Sequence, residues 1–563
     1  MVSQILIVMI AAIAVAIWAE NRNIQAPLLL ALVGLAASYL PFLPRLELEP
    51  EIILTVVLPP LLYSAASELS FTSFLRRLGS IVNLGVVLVL VTTTVVGAVA
   101  AAVIPGLPIA AATVLAAVVS PPDAVTATAV GRKLGLPGRM MTVLKGESLI
   151  NDAAALTLFA FATATITGTH LLIENRILFF LYSAVVGILV GVAIGALVHR
   201  VRVSVVNPSL STVVSVLVPF AAYMIAEELG ASGVLAVVAA GFANGHVASE
   251  ANYEARIQER QFWRTADSLL EAFVFAYIGL QLRFVIQDAQ EAGFDIVQLG
   301  LLSSVVLVAV ILVRIAWVFG TALVSRWRGR AAARRLAEMK KDPKWLERLA
   351  QRGRRRDRRP PRPEDFEVPE PFTWKENLVI GWTGMRGVVT LAAAAGIPLT
   401  TLAGDAFPGR EAIQVVAFTV TIGTLLIQGL TLPWLIRVLG ISDPREAEYR
   451  EQQHRLAEQI ADQAGREAIA RYRDAQTDPQ ARAAAEQMLR RSDFRDEAQR
   501  QSSAEHDRLV LELGRTFLDA RRAALIKARD ERRIDDEVLR EIMEDLDLQQ
   551  AVLANWQPGR LGG

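Results

Sequence analysis

One stretch of this sequence, residues 146–154, places acids and an amide inside an apolar segment that is long enough to cross a bilayer. On a helix, Ser148 and Asp152 lie one turn apart on the same face. Glu147 and Asn151 form a second such pair, turned about 100° away. Because ionisable groups in a membrane span are costly, they mark functional sites by default. The pattern predicts a cation-binding face; the alternative is a polar cluster that only holds helices together.

The composition is typical of a membrane protein. Of the 563 residues, 53% are hydrophobic and 20% are charged, and the mean hydropathy is +0.39. Basic and acidic residues nearly balance, with a formal net charge of +1, yet long windows carry no charge. The chain has no cysteine, which excludes disulfides, thiol catalysis and thiolate metal sites.

The sequence predicts an all-α membrane protein with thirteen transmembrane helices in residues 1–440 and a cytoplasmic helical tail at 441–563. The first apolar run, Val2–Ala19, lacks a basic start and a small-residue cleavage site, so we expect a retained span. The two alternating sets of short loops carry 11 and 4 lysines and arginines. Because basic residues mark cytoplasmic loops, we expect the N-terminus outside, the C-terminus in the cytoplasm and the chain in the plasma membrane.

Two of the predicted spans are interrupted. The fifth contains Ser120-Pro121-Pro122-Asp123, whose prolines remove helical hydrogen bonds and free carbonyl groups beside an acid. The twelfth contains three glycines and a buried arginine in the stretch 381–387. The two spans cross the membrane in opposite directions, which is the pattern of an inverted-repeat secondary transporter with its site at the midplane. A simple proline kink is the alternative for the fifth span.

A strongly basic segment at 326–373 separates the eleventh and twelfth spans, and we expect it to be a cytoplasmic insertion. Its charge suits anionic membrane lipids, or it only sets the topology. Nucleic-acid binding is not expected, because no recognised module accompanies the charge. The tail is predicted to form amphipathic helices, such as one near 509–525, for regulation or association.

Three motifs carry a resemblance to a known family: Ser-Pro-Pro-Asp-Ala-Val at 120–125, Gly-Glu-Ser-Leu-Ile-Asn-Asp at 146–152, and Gly-Met-Arg-Gly at 384–387. Through them the chain resembles the monovalent cation:proton antiporters of the sodium/proton exchanger superfamily, in its bacterial branch. The resemblance covers about residues 1–440. It implies a homodimer, thirteen spans in each protomer, two crossed broken helices, and exchange of a cation for a proton by an elevator-like movement.

The resemblance also implies roles for individual residues. Asp152 would be the main carboxylate for the cation and the proton, with Ser148 and Asp123 assisting and Pro122 offering a backbone carbonyl. These groups would hold the transported alkali cation, while no cofactor is expected. Asn151 completes an Asn-Asp pair, which in similar proteins accompanies electroneutral exchange.

Glu147 and Arg386 resemble an acid and a base that similar transporters pair within the core, and we expect a structural ion pair because a lone buried arginine is costly. Glu271 and Arg314 are expected to be structural partners of the core or of each other. At Ser64, in the third span, many relatives have an acid nearby, and this chain has none.

The mechanism that these residues favour is competition between a proton and a dehydrated alkali cation for Asp152, with alternating access. Sodium is the expected ion, with lithium and potassium as alternatives, and the expected role is pH homeostasis. A cation channel or a transporter of another solute would use similar broken helices. An intramembrane aspartyl protease using Asp123 and Asp152 is a remote alternative, and no ATP-binding loop of the Walker type is present.

Overall fold

A computed structural model describes most of the chain. The described residues are 2–22, 26–40, 52–168, 175–205, 207–247, 253–339, 371–441, 444–490, 504–531 and 533–555. They are almost entirely helical, and within these ranges no strand is formed. Most of the predicted basic insertion, residues 340–370, lies outside the described residues.

The chain divides into two compact units. The first comprises Met1–Val247, Glu259–Arg335 and Glu367–Ser442, and the second comprises Ala248–Gln258, Leu336–Phe366 and Asp443–Gly563. The predicted boundary near residue 440 stays a prediction.

The first nine helices of the chain include most of the predicted early spans. They are α1 (Val2–Asn21), α2 (Ala26–Ser38), α3 (Ile53–Glu68), α4 (Phe71–Val103), α5 (Ile109–Val119), α6 (Val125–Lys133), α7 (Gly138–Thr167), α8 (Arg176–Ser204) and α9 (Pro208–Glu228).

Six further helices follow before the tail. They are α10 (Gly233–Val247), α11 (Tyr253–Glu291), α12 (Ile296–Met339), α13 (Trp374–Trp382), α14 (Val388–Ala395) and α15 (Arg410–Leu439). In the described part of the chain, eight helices are long and apolar enough to cross a membrane, and four shorter apolar helices accompany them. A multi-span helical membrane protein is thereby confirmed, and the number of thirteen spans stays a prediction.

Local sequence signals set several helix ends. At the start of α4, the Ser70 side chain accepts a hydrogen bond from the Ser73 backbone N–H at 3.2 Å. At the start of α13, Thr373 and Glu376 form a reciprocal capping box. Glu376 also pairs with Arg139 of α7 at 2.8 Å. Because these caps use up polar groups at the ends, each helix begins at a defined residue.

The predicted helix breaks are confirmed. The first break separates α5 from α6 at residues 120–124, and the second separates α13 from α14 at 383–387. The backbone N–H of Asp123 donates to the Met385 carbonyl at 2.6 Å. The two broken helices therefore cross at their interruptions, where a side chain from either one is able to reach the other.

The second unit contains four helices of the predicted tail: α16 (Pro444–Ala475), α17 (Pro479–Arg490), α18 (Ala504–Asp530) and α19 (Asp536–Asn555). Its apolar core includes Ala457, Leu518, Leu525, Leu539 and Leu546. These residues recur at helical spacing on the inner faces of α16, α18 and α19. The tail is thus helical, as the sequence predicts.

Candidate functional site

Helix α7 carries the predicted site and is fastened to the first break by two hydrogen bonds. Asn151 is fully buried and donates through Nδ2 to the Pro122 carbonyl at 2.6 Å. One turn earlier, the Ser148 hydroxyl accepts from the Ala124 backbone N–H at 3.4 Å. The predicted residues of both motifs therefore lie together.

Asp123 lies between the starts of two half-helices. Its Oδ1 accepts from the Val125 backbone N–H at 2.8 Å, at the first turn of α6. Its Oδ2 lies so close to Gly387, the residue before α14, that a Cβ there would overlap it. The amino-terminal ends of two half-helices thus lie beside one carboxylate, where their unpaired N–H groups suit an acceptor. Only glycine permits this approach of the second break.

Arg386 compensates the opposite, negative end of α5. Its Nε donates to the Val119 carbonyl at 2.9 Å and its Nη2 to the Ser120 carbonyl at 3.3 Å. Its Nη1 donates to the Gly384 carbonyl. The last carbonyls of α5, which have no partner within the interrupted helix, are therefore engaged by a guanidinium. The Val119 and Ser120 carbonyls already have a cationic partner at the break.

Arg314 performs the same task for α13. Its Nε and Nη2 donate to the Ile380 carbonyl at 3.2 and 3.1 Å. Its guanidinium also forms a bidentate ion pair with Glu147, with Nη2 3.0 Å from Oε2. Both side chains of this pair are 2% exposed.

The predicted ion pair between Glu147 and Arg386 is therefore wrong, because Glu147 pairs with a different arginine. Glu147 binds the guanidinium of Arg314, so Arg314 is a structural partner of the core, the first of its two expected roles, and does not pair with Glu271. Arg386 is bound by carbonyls instead, and Glu147 and Arg314 influence it through their charges. The physical reason is that the negative ends of two half-helices each require a cation. The carboxylate of Glu147 then lies near two guanidinium groups, those of Arg314 and Arg386.

Asp152 differs from the other acids at the crossing. It is buried, with 7% of its surface exposed, and the nearby charge of Asp123 repels its own. In the described part of the chain, its carboxylate takes part in no hydrogen bond or ion pair. A buried acid without a partner is free to bind a proton or a cation.

Oxygen atoms from three side chains meet at the helix crossing. Asp152, Asp123 and Ser148 supply hard oxygen atoms at the helix crossing, and such atoms suit alkali cations. The Pro122 carbonyl already accepts from Asn151, which leaves one of its lone pairs. The described residues contain no cluster of three or more His, Cys, Asp or Glu arranged for a metal ion.

Asp267 is a polar residue of the site region that none of the sequence motifs includes, and it lies just before the predicted tenth span at 268–282. In the structure it is inside α11, and its Oδ2 accepts from the Ser64 hydroxyl at 2.5 Å. The signal was present, since Glu259, Trp263, Asp267 and Glu271 recur every four residues along one face of α11. At Ser64, where the third span lacks an acid, a carboxylate from another helix lies alongside.

Comparison with known proteins agrees with this geometry. The family profile described as sodium/hydrogen exchanger, transmembrane, matches residues 5–438. The chain is 28% identical over 553 residues to the uncharacterized Na⁺/H⁺ exchanger YjcE of Escherichia coli, with 94% of each chain covered. It is 28% identical over 424 residues to the sodium, potassium, lithium and rubidium/H⁺ antiporter of Bacillus pumilus, covering 73% of this chain and 58% of that protein.

A solved structure shows the same fold. The sodium proton antiporter MjNhaP1 of Methanocaldococcus jannaschii aligns with a TM-score of 0.56 at 17% identity, over 78% of this chain and 96% of that one. The predicted resemblance is confirmed, and the expectation of a secondary transporter rather than an enzyme is confirmed with it. The chain belongs to the sodium/hydrogen exchanger family of membrane antiporters.

Proposed function

We propose that this protein exchanges one monovalent cation for one proton by alternating access, and that the two compete for Asp152. The observation that carries the proposal is the contrast between the acids at the helix crossing. Glu147 is paired with Arg314, and Asp123 accepts from the Val125 backbone N–H at the start of α6 and lies against Gly387. Asp152 alone among these three is buried without a partner in the described part of the chain.

The Asn151–Asp152 pair supports one-for-one, electroneutral exchange. Asn151 is an amide that donates to the Pro122 carbonyl, so Asp152 is the one acid of this pair whose charge has to be neutralised. One proton or one monovalent cation neutralises it. Because an uncompensated charge is costly in a low dielectric, the loaded site crosses the membrane more readily than the empty one.

Sodium is the proposed ion. The family and most of the relatives are described by sodium and proton exchange. The name of the Bacillus pumilus relative adds potassium, lithium and rubidium, so potassium and lithium are the ions to compare first. The oxygen ligands are common to all of these cations, and cavity size separates them.

The assembly and its setting form part of the same proposal. We infer a homodimer in the plasma membrane, in contact with lipid through its exposed apolar helix faces, with the N-terminus outside and the C-terminus in the cytoplasm. The excess of basic residues in alternate loops supports this orientation. The physiological role that fits such an exchanger is pH homeostasis.

The test is proton movement in everted vesicles, followed with a pH-sensitive dye as sodium, lithium or potassium salts are added. We expect a cation-dependent collapse of the proton gradient with the wild type and none with Asp152→Asn. Asp405→Asn removes an exposed acid and should behave as wild type. A cation current without proton movement would indicate a channel instead, and full exchange by inserted Asp152→Asn protein would contradict the proposal.

A further inference from the structure

A second polar path reaches the helix crossing from the side, along α11 and α3. Ser64 of α3 is buried, and its hydroxyl orients Asp267 by donating to Oδ2 at 2.5 Å. The other carboxylate oxygen, Oδ1, is buried and has no hydrogen-bond partner among the described residues. A buried oxygen of this kind calls for a ligand or a special role, because it has lost its hydrogen bonds to water without gaining a partner.

Glu271 connects Asp267 with the exchange site. It lies one turn further along the same face of α11. Its carboxylate interacts electrostatically with both Asp123 and Asp267. In the described ranges no base pairs with Glu271 or with Asp267. Electrostatic interactions therefore link the carboxylates in sequence, from Asp267 through Glu271 to Asp123 and Asp152.

The outer end of this row reaches a half-exposed acid. Glu68, one turn beyond Ser64 on α3, interacts with the charge of Asp267. Its side chain is 50% exposed, and one of its oxygens lies 3.5 Å from Lys145 Nζ. The row thus joins a half-exposed acid on the predicted cytoplasmic side to the buried exchange site.

A purely structural role would look different, as Glu259 shows. This acid lies on the same face of α11, two turns before Asp267, but it is fully engaged. One oxygen accepts from the Ser215 hydroxyl, and the other pairs with Arg202. Glu259 therefore holds helices α8, α9 and α11 together. Asp267 and Glu271 have no such base, although removing an acid from water is equally costly for them.

We propose that Asp267, oriented by Ser64, is a transient binding position for the monovalent cation as it passes between the cytoplasmic side and the exchange site, with Glu271 as the next carboxylate on the path. This inference rests on the proposed function, because it assigns the route to Asp152. The ligand is a partly dehydrated alkali cation, which binds carboxylate and hydroxyl oxygens. Acids along a low-dielectric path raise the local cation concentration.

The experiment measures the exchange rate of the full-length protein in vesicles as a function of sodium concentration. For Asp267→Asn we expect the apparent KM for sodium to rise about tenfold, with the maximal rate within about twofold of wild type. Glu271→Gln should act in the same direction. The matched control is Glu259→Gln, which should lower thermal stability and leave the apparent KM unchanged.

A swap of the two side chains separates charge from packing. The double variant Ser64→Asp with Asp267→Ser moves the acid across the same contact, and we expect it to restore the apparent KM to within about threefold of wild type. Ser64→Ala removes only the orienting hydroxyl and should give a smaller rise. This variant decides the question if Asp267→Asn does not insert in the membrane.

The outcomes distinguish this inference from the proposed function. If the wild type exchanges cations, Asp152→Asn does not, and Asp267→Asn has an unchanged apparent KM, the path is wrong and the function stands. If Asp267→Asn cannot be measured, an unchanged apparent KM for Ser64→Ala also contradicts the path and leaves the proposed function intact. If the wild type shows no exchange at all, the proposed function fails first.

Discussion

Neighbouring side chains on one helix turn have opposite tasks here. Asn151 is the donor that holds the Pro122 carbonyl at 2.6 Å, and Asp152 is the unpartnered acid beside it. An amide suits the first task because it donates, and an ionised carboxylate does not. The Asn-Asp order therefore has a structural reason as well as a charge reason.

Asn151→Asp tests this directly. Replacing the donor with an acceptor leaves a carboxylate facing the Pro122 carbonyl, so we expect the first break to be destabilised by about 1–3 kcal/mol. We expect a lower thermal midpoint and slower exchange, not a gain of electrogenic transport. The measurements are thermal unfolding and the dependence of the exchange rate on membrane potential. A stable, potential-driven variant would contradict the structural reason.

Competition at Asp152 predicts a particular pH dependence. Protonation and cation binding exclude each other on one carboxylate, so the apparent KM for sodium should rise as the pH falls. Saturating sodium should displace the proton and restore the maximal rate. Exchange rates at several sodium concentrations and pH values check this expectation. A maximal rate that falls with pH at saturating sodium would place the proton on a different group.

At the scale of elements, each half-helix end at the crossing lies next to a side chain of the opposite charge. Arg386 and Arg314 bind the carbonyl ends of α5 and α13, while Asp123 faces the amide ends of α6 and α14. Buried half-helices need such partners because their terminal groups have no intrahelical hydrogen bonds. The residues that stabilise the two breaks are thus different from Asp152, the acid without a partner among the described residues.

Gly387→Ala should disrupt the packing of Asp123 against the second break. A Cβ at this position would overlap Asp123 Oδ2, and the backbone of the second break cannot yield without losing the hydrogen bond from Asp123 to Met385. We expect loss of exchange and poor folding, measured by transport and by the yield of monodisperse protein. Gly320→Ala is the matched control, because nothing lies within 4 Å of its added Cβ. Its free energy of unfolding should stay within about 1 kcal/mol of the wild-type value.

Arg386→Lys keeps the charge and removes the planar fork. A lysine cannot donate to the Val119, Ser120 and Gly384 carbonyls together, so one or more buried acceptors lose their partner. We expect a cost of about 2–4 kcal/mol in unfolding free energy. Thermal unfolding in detergent is the measurement. Wild-type stability for this variant would show that charge alone is needed at the end of α5.

At the scale of the whole molecule, the second unit has an ionic core of its own. Asp547 of α19 is 1% exposed and binds Arg256 and Arg522, the latter at 3.0 Å. Burial and the nearby charge of Arg256 lower the pKa of Arg522, and Asp547 opposes that effect. One carboxylate thus holds two arginines from distant parts of the sequence.

Asp547→Asn should loosen this unit. It leaves the largely buried guanidinium groups of Arg256 and Arg522 without their counter-ion. The loss of one partner of a buried ion pair lowers the free energy of unfolding by about 3–5 kcal/mol. We expect faster limited proteolysis within α16–α19. Glu451→Gln removes an exposed pair with Arg455 and should change stability by at most about 0.5 kcal/mol. Equal proteolysis of both variants would contradict the role of Asp547.

The sequence by itself determined the class of protein and the two helix breaks, and it named the acids of the proposed site. Apolar length, the positions of proline and glycine, and polar residues at i,i+4 spacing are local properties, and they persist in the fold because the membrane leaves few alternatives to helices. These signals made Asp152 and Asp123 the candidates for the proposed site without any contact being known.

Only the tertiary structure decided which groups are paired. The partner of Glu147 is 167 residues away in Arg314, and Asp267 lies 203 residues from the Ser64 that orients it. Sequence spacing carries no information about such contacts, because they depend on which helix faces meet. The same acid is structural when a guanidinium from another helix reaches it, and available for a cation when none does.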